Sequence, residues 1–264
     1  MKGRVVGMVF LSLWSIAVGY AQTNAGMTQE SSLLPPPGVE RLMKAYPNFV
    51  KGYESGKVRF SDGSEMVYDD SRQKSYVERM DAADLEDMFY LSYDTSVWKP
   101  SYLYDPGRVR CEAFFRKMYG NSSNEVQSHL VRVDWFGQKI PFTNVNGAAD
   151  SLRAVASDLA KLAESYKKYL SGSSSFYWRK VRGADRLSAH SYGIAIDINV
   201  KFSDFWLWSN PGKKEQDQII YKNRIPREIV EIFERHGFIS GARWYHYDTM
   251  HFEFRPELLV NVNQ

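Results

Sequence analysis

Two short stretches near the C-terminus constrain this chain more than anything else in it. The first is Ser188-Ala189-His190-Ser191-Tyr192-Gly193-Ile194-Ala195-Ile196-Asp197, and the second is Asp248-Thr249-Met250-His251-Phe252-Glu253-Phe254. Together they offer two imidazoles, a carboxylate seven residues after the first, and an acid three residues before the second. Three such donors with a spare acid suit a catalytic zinc, which takes three protein ligands and keeps a fourth position for water.

Local geometry supports a shared site. Gly193 can turn the chain sharply after His190, and Ile194 to Val200 then alternates with period two. On a strand, Ile194, Ile196, Ile198 and Val200 face one way while Ala195, Asp197 and Asn199 face the other. In the second stretch Phe252 and Phe254 oppose His251 and Glu253. Asp248 sits at a spacing that a straight strand would place on the wrong face, so a turn or bulge is required before His251. Each pair taken alone is common in turns and caps. Their occurrence in order, each beside an alternating apolar strand, is what carries weight.

The ordered set Ser-x-His-x-x-Gly-x-Ala-x-Asp and Asp-x-x-His-Phe-Glu resembles the zinc peptidases that include D-alanyl-D-alanine carboxypeptidases and phage L-alanyl-D-glutamate endolysins, relatives of lysostaphin and the Hedgehog signalling domain. The likeness runs from about Phe176 to Glu257 and takes in Phe176-Tyr177-Trp178-Arg179, Ile225-Pro226-Arg227, His236-Gly237-Phe238 and Trp244-Tyr245-His246-Tyr247-Asp248. It implies one zinc ion held by His190, Asp197 and His251, with Asp248 as the catalytic acid, a place that Glu fills in many relatives. Asp at this place is similar to the endolysin branch. Arg179 matches a basic residue that holds substrate or the developing oxyanion, and Ser188 a residue near the substrate. The implied substrate is the peptide part of peptidoglycan, cut by an L-Ala-D-Glu endopeptidase or a D,D-carboxypeptidase. The other reading is a zinc-containing cell-wall-binding module without turnover. A carboxypeptidase needs a fixed cation for the terminal carboxylate, and Arg179, Arg182, Arg186 and Arg243 are candidates. His246 and Glu253 could orient a ligand imidazole or be purely structural; His129 and His236 read as structural, and Asp185 and Arg186 as loop charges.

The rest of the chain sets context. Lys2 and Arg4 precede an apolar run ending at Gly19-Tyr20-Ala21, which reads as a secretory signal peptide over residues 1–21. The run is short for a membrane span. Export to the periplasm, the cell wall or the medium follows, with no membrane span after cleavage. Residues 22–38 end in Pro35-Pro36-Pro37-Gly38 and read as a linker. A single cysteine, Cys111, excludes an intramolecular disulfide. With 34 basic against 31 acidic residues, the net charge of +3 gives no sign of a nucleic-acid partner. Nothing in the sequence sets an oligomeric state.

Residues 39–145 read as an N-terminal extension packed on a catalytic core of residues 146–264. In the extension, strands at 58–60 and 66–68 flank a turn at Asp62-Gly63, and 130–135 and 139–142 form a hairpin about Gly137. Asp81 reads as the cap of a helix through Leu85, Met88 and Phe89, and a second helix buries Val109, Phe114, Phe115 and Met118. One long helix is expected from Gly147 to Tyr169, its stripe formed by Leu152, Val155, Leu159, Leu162 and Tyr166. A last helix starts at Pro226 and stops at Gly237. The expected class is α+β, an antiparallel sheet carrying the zinc site with helices, the long one included, packed on one face. Phe205-Trp206-Leu207-Trp208 either lines the cleft or anchors a loop, and anchoring is favoured.

Overall fold

The computed structural model describes Gly3 and residues 34–181 and 183–261; apart from Gly3, the expected leader and the linker up to residue 33 lie outside these residues. The first helix, α1 (Pro37–Ala45), starts inside the stretch read as linker. Pro37 opens it because its missing N–H costs nothing in a first turn. Gly38 is there for space: a Cβ would lie 2.3 Å from the Tyr68 hydroxyl. Strands β1 (Val50–Glu54), β2 (Lys57–Phe60) and β3 (Glu65–Val67) form an antiparallel meander in that order.

Helix α2 (Tyr76–Asp81) corrects the expectation for Asp81, which ends a helix and does not cap one. The start signal is Ser75-x-x-Glu78, a capping box in which the Ser75 side chain accepts from the Glu78 N–H and Glu78 accepts from the Ser75 N–H. Leu85, Met88 and Phe89 follow in a separate short 3₁₀ turn, Glu86–Phe89. Helices α3 (Glu112–Tyr119) and α4 (Ser123–Ser128) lead into the hairpin of β4 (Leu130–Trp135) and β5 (Gln138–Thr143). Phe136 and Gly137, at φ of 36° and 81°, make its two-residue turn.

The long helix expected over 147–169 is two. Helix α5 (Ala148–Leu159) gives way to a 3₁₀ turn and α6 (Lys167–Leu170). At the break the bonding tightens to Leu162 N–H to Leu159 C=O, and Ala163 is extended. The Asp158 carboxylate there accepts from His236 at 2.8 Å and Lys161 at 2.6 Å.

The remaining elements are β6 (Ala195–Asp197), α7 (Trp206–Ser209), α8 (Arg227–Arg235), β7 (Phe238–Ser240) and β8 (His251–Phe254). They form a third sheet of order β6-β8-β7, antiparallel throughout. Thus the α+β class holds, with three small antiparallel sheets among the described residues. The helix over the site-bearing sheet is α8, which packs on β7, whereas α5 lies against the β4–β5 hairpin and α8. Phe233 of α8 stacks on Phe252 of β8, centroids 3.8 Å apart. One apolar core runs from Val39 and Leu42 through Phe114, Trp135 and Leu152 to Ile196, Phe233 and Phe252. Pro35–Gln264 accordingly cluster as one compact unit. No described helix is long and apolar enough to cross a membrane.

Candidate metal centre and cleft

Sheet register brings the two stretches together. Asp197, at the end of β6, is the direct cross-strand partner of His251, the first residue of β8, so their side chains leave the same face. Ser174 pairs with Asp197 on the other edge through two backbone hydrogen bonds. His190 arrives on a 3₁₀ turn, Ala189–Tyr192, closed by Gly193 at φ 67°. That left-handed conformation, and a Cβ position 2.5 Å from the Leu130 side chain, fit only glycine. The strand stops after Asp197, so Ile194, Ile196 and Ile198 are buried while Val200, expected on the same apolar face, turns outward into a 3₁₀ turn and is half exposed.

Three donor atoms converge. His190 Nε2 lies 3.1 Å from Asp197 Oδ1 and 3.2 Å from His251 Nδ1, and the last two are 3.0 Å apart. Ligands about 2.0–2.1 Å from a tetrahedral zinc are separated by about 3.3 Å, so the triangle is close to one face of such a tetrahedron. The far ring nitrogens fix the tautomers. His190 Nδ1 donates to the Ser175 carbonyl at 2.7 Å, and His251 Nε2 faces the Glu253 carboxylate at 3.4 Å. Each imidazole therefore turns a lone pair to the common centre. The local field favours a cation there. Burial alone would lower the His251 pKa, but hydrogen bonds to Asp197 and Glu253 lift it to about 10, so the ring gives its lone pair to a metal only in exchange for a proton. Burial likewise opposes ionisation of Asp197, yet the neighbouring imidazoles hold its carboxyl far below the usual range.

Glu253 is fully buried and accepts from Arg110 and Arg255, each at 3.1 Å. Burial works against its charge, but the Arg110 guanidinium brings its pKa down to about 2. It stays ionised and can hold the His251 ring.

Asp248 reaches the same cavity by the required turn: the His251 N–H donates to the Asp248 carbonyl at 3.0 Å, with Thr249 and Met250 between. Burial first, and then the Asp197 charge, push its carboxyl up to about 6. Gly241 sits against it so closely that a Cβ would lie 2.2 Å from the Asp248 carbonyl oxygen. The cavity has a volume of about 350 Å³ and is lined by His190, Asp197, Asp248 and His251, with Arg179 and Ser188 also on its wall. Ser188 is buried and Arg179 exposed. The Arg179 backbone is stapled to the His190 turn through Ser191 Oγ, at 2.9 and 2.8 Å. Arg186 lines the cavity too and pairs with Asp81. Arg243 does not: it is fully buried on Glu234, at 2.8 and 2.9 Å. Arg182 lies outside the described residues. Asp185 is an exposed partner of Lys180, and His129 and His236 bond the Tyr119 carbonyl and Asp158.

Part of the cleft comes from residues 76–110, which no motif identifies. Met80, Arg108 and Arg110 line it. Asp105, fully buried, accepts from His246 Nδ1 at 2.6 Å, the His246 N–H at 2.8 Å and the Tyr76 hydroxyl at 2.7 Å. His246 is buried and on the cavity wall, its Nε2 without a hydrogen-bond partner and 3.6 Å from Glu215. It does not orient a ligand imidazole; its partner is a carboxylate 141 residues away. All four residues of Phe205–Trp208 line the cavity as well, Trp206 buried and Trp208 exposed. Both readings of that segment hold, residue by residue.

Other acidic groups look superficially similar. Asp70, Asp84 and Asp87 converge, but the Lys74 ammonium fills the space at 2.9, 3.0 and 2.6 Å.

No curated protein and no solved structure matches the chain. Residues 182–254 match a family model described as D-alanyl-D-alanine carboxypeptidase. That span holds His190, Asp197, Asp248 and His251, so the two stretches that carry the resemblance fall inside the segment similar to the D-alanyl-D-alanine carboxypeptidase family.

Proposed function

We propose that the protein is an exported zinc metallopeptidase that hydrolyses peptide bonds of the peptidoglycan stem peptide, with a core of the Hedgehog and D-Ala-D-Ala peptidase type. His190, Asp197 and His251 hold one zinc ion. The observation that carries this is the set of three lone-pair donors within 3.0–3.2 Å of one another, in one cavity with an acid whose pKa is raised to about 6. When bound, zinc supplies Lewis acidity, polarising the scissile carbonyl and bringing a water pKa to about 7.

The side chains supply the rest. Asp248 accepts a proton from the attacking water and returns it to the leaving amine, a task suited to a carboxyl poised near neutrality. Arg179, exposed at the rim, meets the developing oxyanion, which for one good donor contributes about 3 kcal/mol. Ser188 contributes a hydroxyl to the bound peptide. Asp at position 248, as in the endolysin branch, favours the endopeptidase over the carboxypeptidase. Digestion of purified muropeptides, with the new termini identified by mass, tests this. An internal cut that depends on zinc and on Asp248 is the expected result. Wall binding without release of fragments, unchanged in Asp248→Ala, would instead support the non-catalytic module.

A further inference from the structure

We infer that Arg110 is a positioning residue for the metal centre: it fixes the Glu253 carboxylate that orients the His251 ring, and so sets how tightly zinc is held. This rests on the reading of His190, Asp197 and His251 as a zinc site. It adds to that site a residue from outside the matched span of 182–254.

The contact runs through one oxygen. Glu253 Oε2 faces His251 Nε2 at 3.4 Å and accepts from Arg110 Nη1 at 3.1 Å. The other oxygen, Oε1, accepts from Arg255 Nη1 at 3.1 Å. Arg255 is fully buried and serves other acceptors: its Nε donates to Glu257, and its Nη1 also donates to the Gly107 carbonyl at 2.8 Å. Glu257 in turn accepts from the Tyr46 hydroxyl at 2.8 Å. Two guanidiniums thus face two fully buried carboxylates behind the His251 ring. Without Arg110, Glu253 and Glu257 would share Arg255, whose Nε is already committed to Glu257. A buried carboxylate left short of a cation is strongly disfavoured. The Glu253 side chain would lean toward Arg255, and Oε2 would lose the donor that pins it beside the imidazole.

The segment that presents Arg110 is itself fixed. The Trp244 indole N–H donates to the Pro106 carbonyl at 2.7 Å, and the Trp244 ring packs against His251, centroids 5.7 Å apart. Gly107, at φ 88°, passes so close to Ile239 that a Cβ would lie 2.4 Å from its Cδ1. Val109 and Cys111 are buried on either side of Arg110. Residues 106–110 therefore reach the surroundings of His251 at two points, the Trp244 ring and the Glu253 carboxylate. An imidazole whose far nitrogen is held by a carboxylate is a better oriented and more basic ligand, and loss of such a partner costs about 10–100-fold in metal affinity. Arg110 also lines the cavity, so contact with substrate is the competing role. That role would alter KM and leave zinc affinity alone.

The test measures the zinc dissociation constant of the folded full chain by competition with a chromophoric chelator. Wild type is compared with Arg110→Met, Arg110→Lys, Glu253→Gln and the double variant Arg110→Met with Glu253→Gln. Arg110→Met and Glu253→Gln are each expected to weaken zinc binding by about 10–100-fold. Arg110→Lys keeps the cation for what is a single bond to Glu253, and is expected to lose less than about threefold. Because Arg110 acts through Glu253, the double variant is expected to lose no more than Glu253→Gln alone. Unchanged or tighter binding by Arg110→Met would overturn the inference, as would losses that multiply in the double variant, or a raised KM with zinc affinity intact. Should Arg110→Met not fold, Arg110→Gln takes its place, keeping an N–H for Glu253 without the charge; weaker binding is again expected, and unchanged binding overturns the inference. Wild type that takes up no zinc would sink the metal-centre reading itself, whereas zinc-binding wild type with an indifferent Arg110→Met sinks the inference alone.

Discussion

Asp105→Asn probes the least expected part of the cleft, the polar wall contributed by residues far upstream of the donor set. Asp105 receives three hydrogen bonds from Tyr76 and His246 and faces Arg108 Nη1 at 3.4 Å. Burial opposes its charge, but the Arg108 guanidinium and the bond from His246 overcome that and lower the pKa from 3.8 to about 2. At about 1.4 kcal/mol per unit, the shift contributes about 2 kcal/mol to stability. The sign follows from the depressed folded value. The contribution is complete above the unfolded pKa and fades as pH falls through that of the folded state. Asparagine cannot ionise, so urea unfolding should show wild type about 2 kcal/mol more stable near neutral pH, with the gap closing toward about pH 2. A gap that stays constant down to about pH 2, or is missing at neutrality, would refute the assignment of a buried, ionised Asp105.

Other substitutions address the remaining supports. Asp248→Asn should keep zinc, measured by atomic absorption, while kcat falls by about 10²–10⁴. Gly241→Ala should displace the Asp248 backbone, costing about 1–3 kcal/mol in urea unfolding and lowering kcat without losing zinc. Phe233→Ala, which removes the ring stacked on Phe252, should cost about 3–5 kcal/mol in the same assay. Glu234→Gln leaves the buried Arg243 half-paired and should cost about 3–5 kcal/mol, with catalysis of the folded fraction unchanged because Arg243 is off the cavity.

Short-range patterns were readable and long-range ones were not. Ile194 to Ile198 alternate, Gly193 must turn, and Asp248 needs a bend before His251; each follows from strand geometry, and the structure has all three. The hairpin around Gly137 and the stop at Gly237 are equally local. Val200 misled because alternation says nothing about where a strand ends. The apolar stripe over 147–169 continues past Leu159, but periodicity does not reveal the backbone break, where Ala163 is extended. Asp81 has the chemistry of a cap, but Ser75 and Glu78 carry the stronger signal. The Asp105–His246 pair has no local signal: a turn aspartate and a histidine among aromatics acquire meaning only when folding joins positions 141 apart. Likewise Pro36 and Pro37 read as linker because burial of Gly38 against Tyr68 is invisible without the partner.

Anomalous scattering at the zinc edge, from crystals of the zinc-loaded protein, is the most direct check on the whole account. It should give one peak per chain, about 2.0–2.1 Å from His190 Nε2, Asp197 Oδ1 and His251 Nδ1, and no peak in His251→Ala. A peak elsewhere, or one that persists unchanged in His251→Ala, would contradict it.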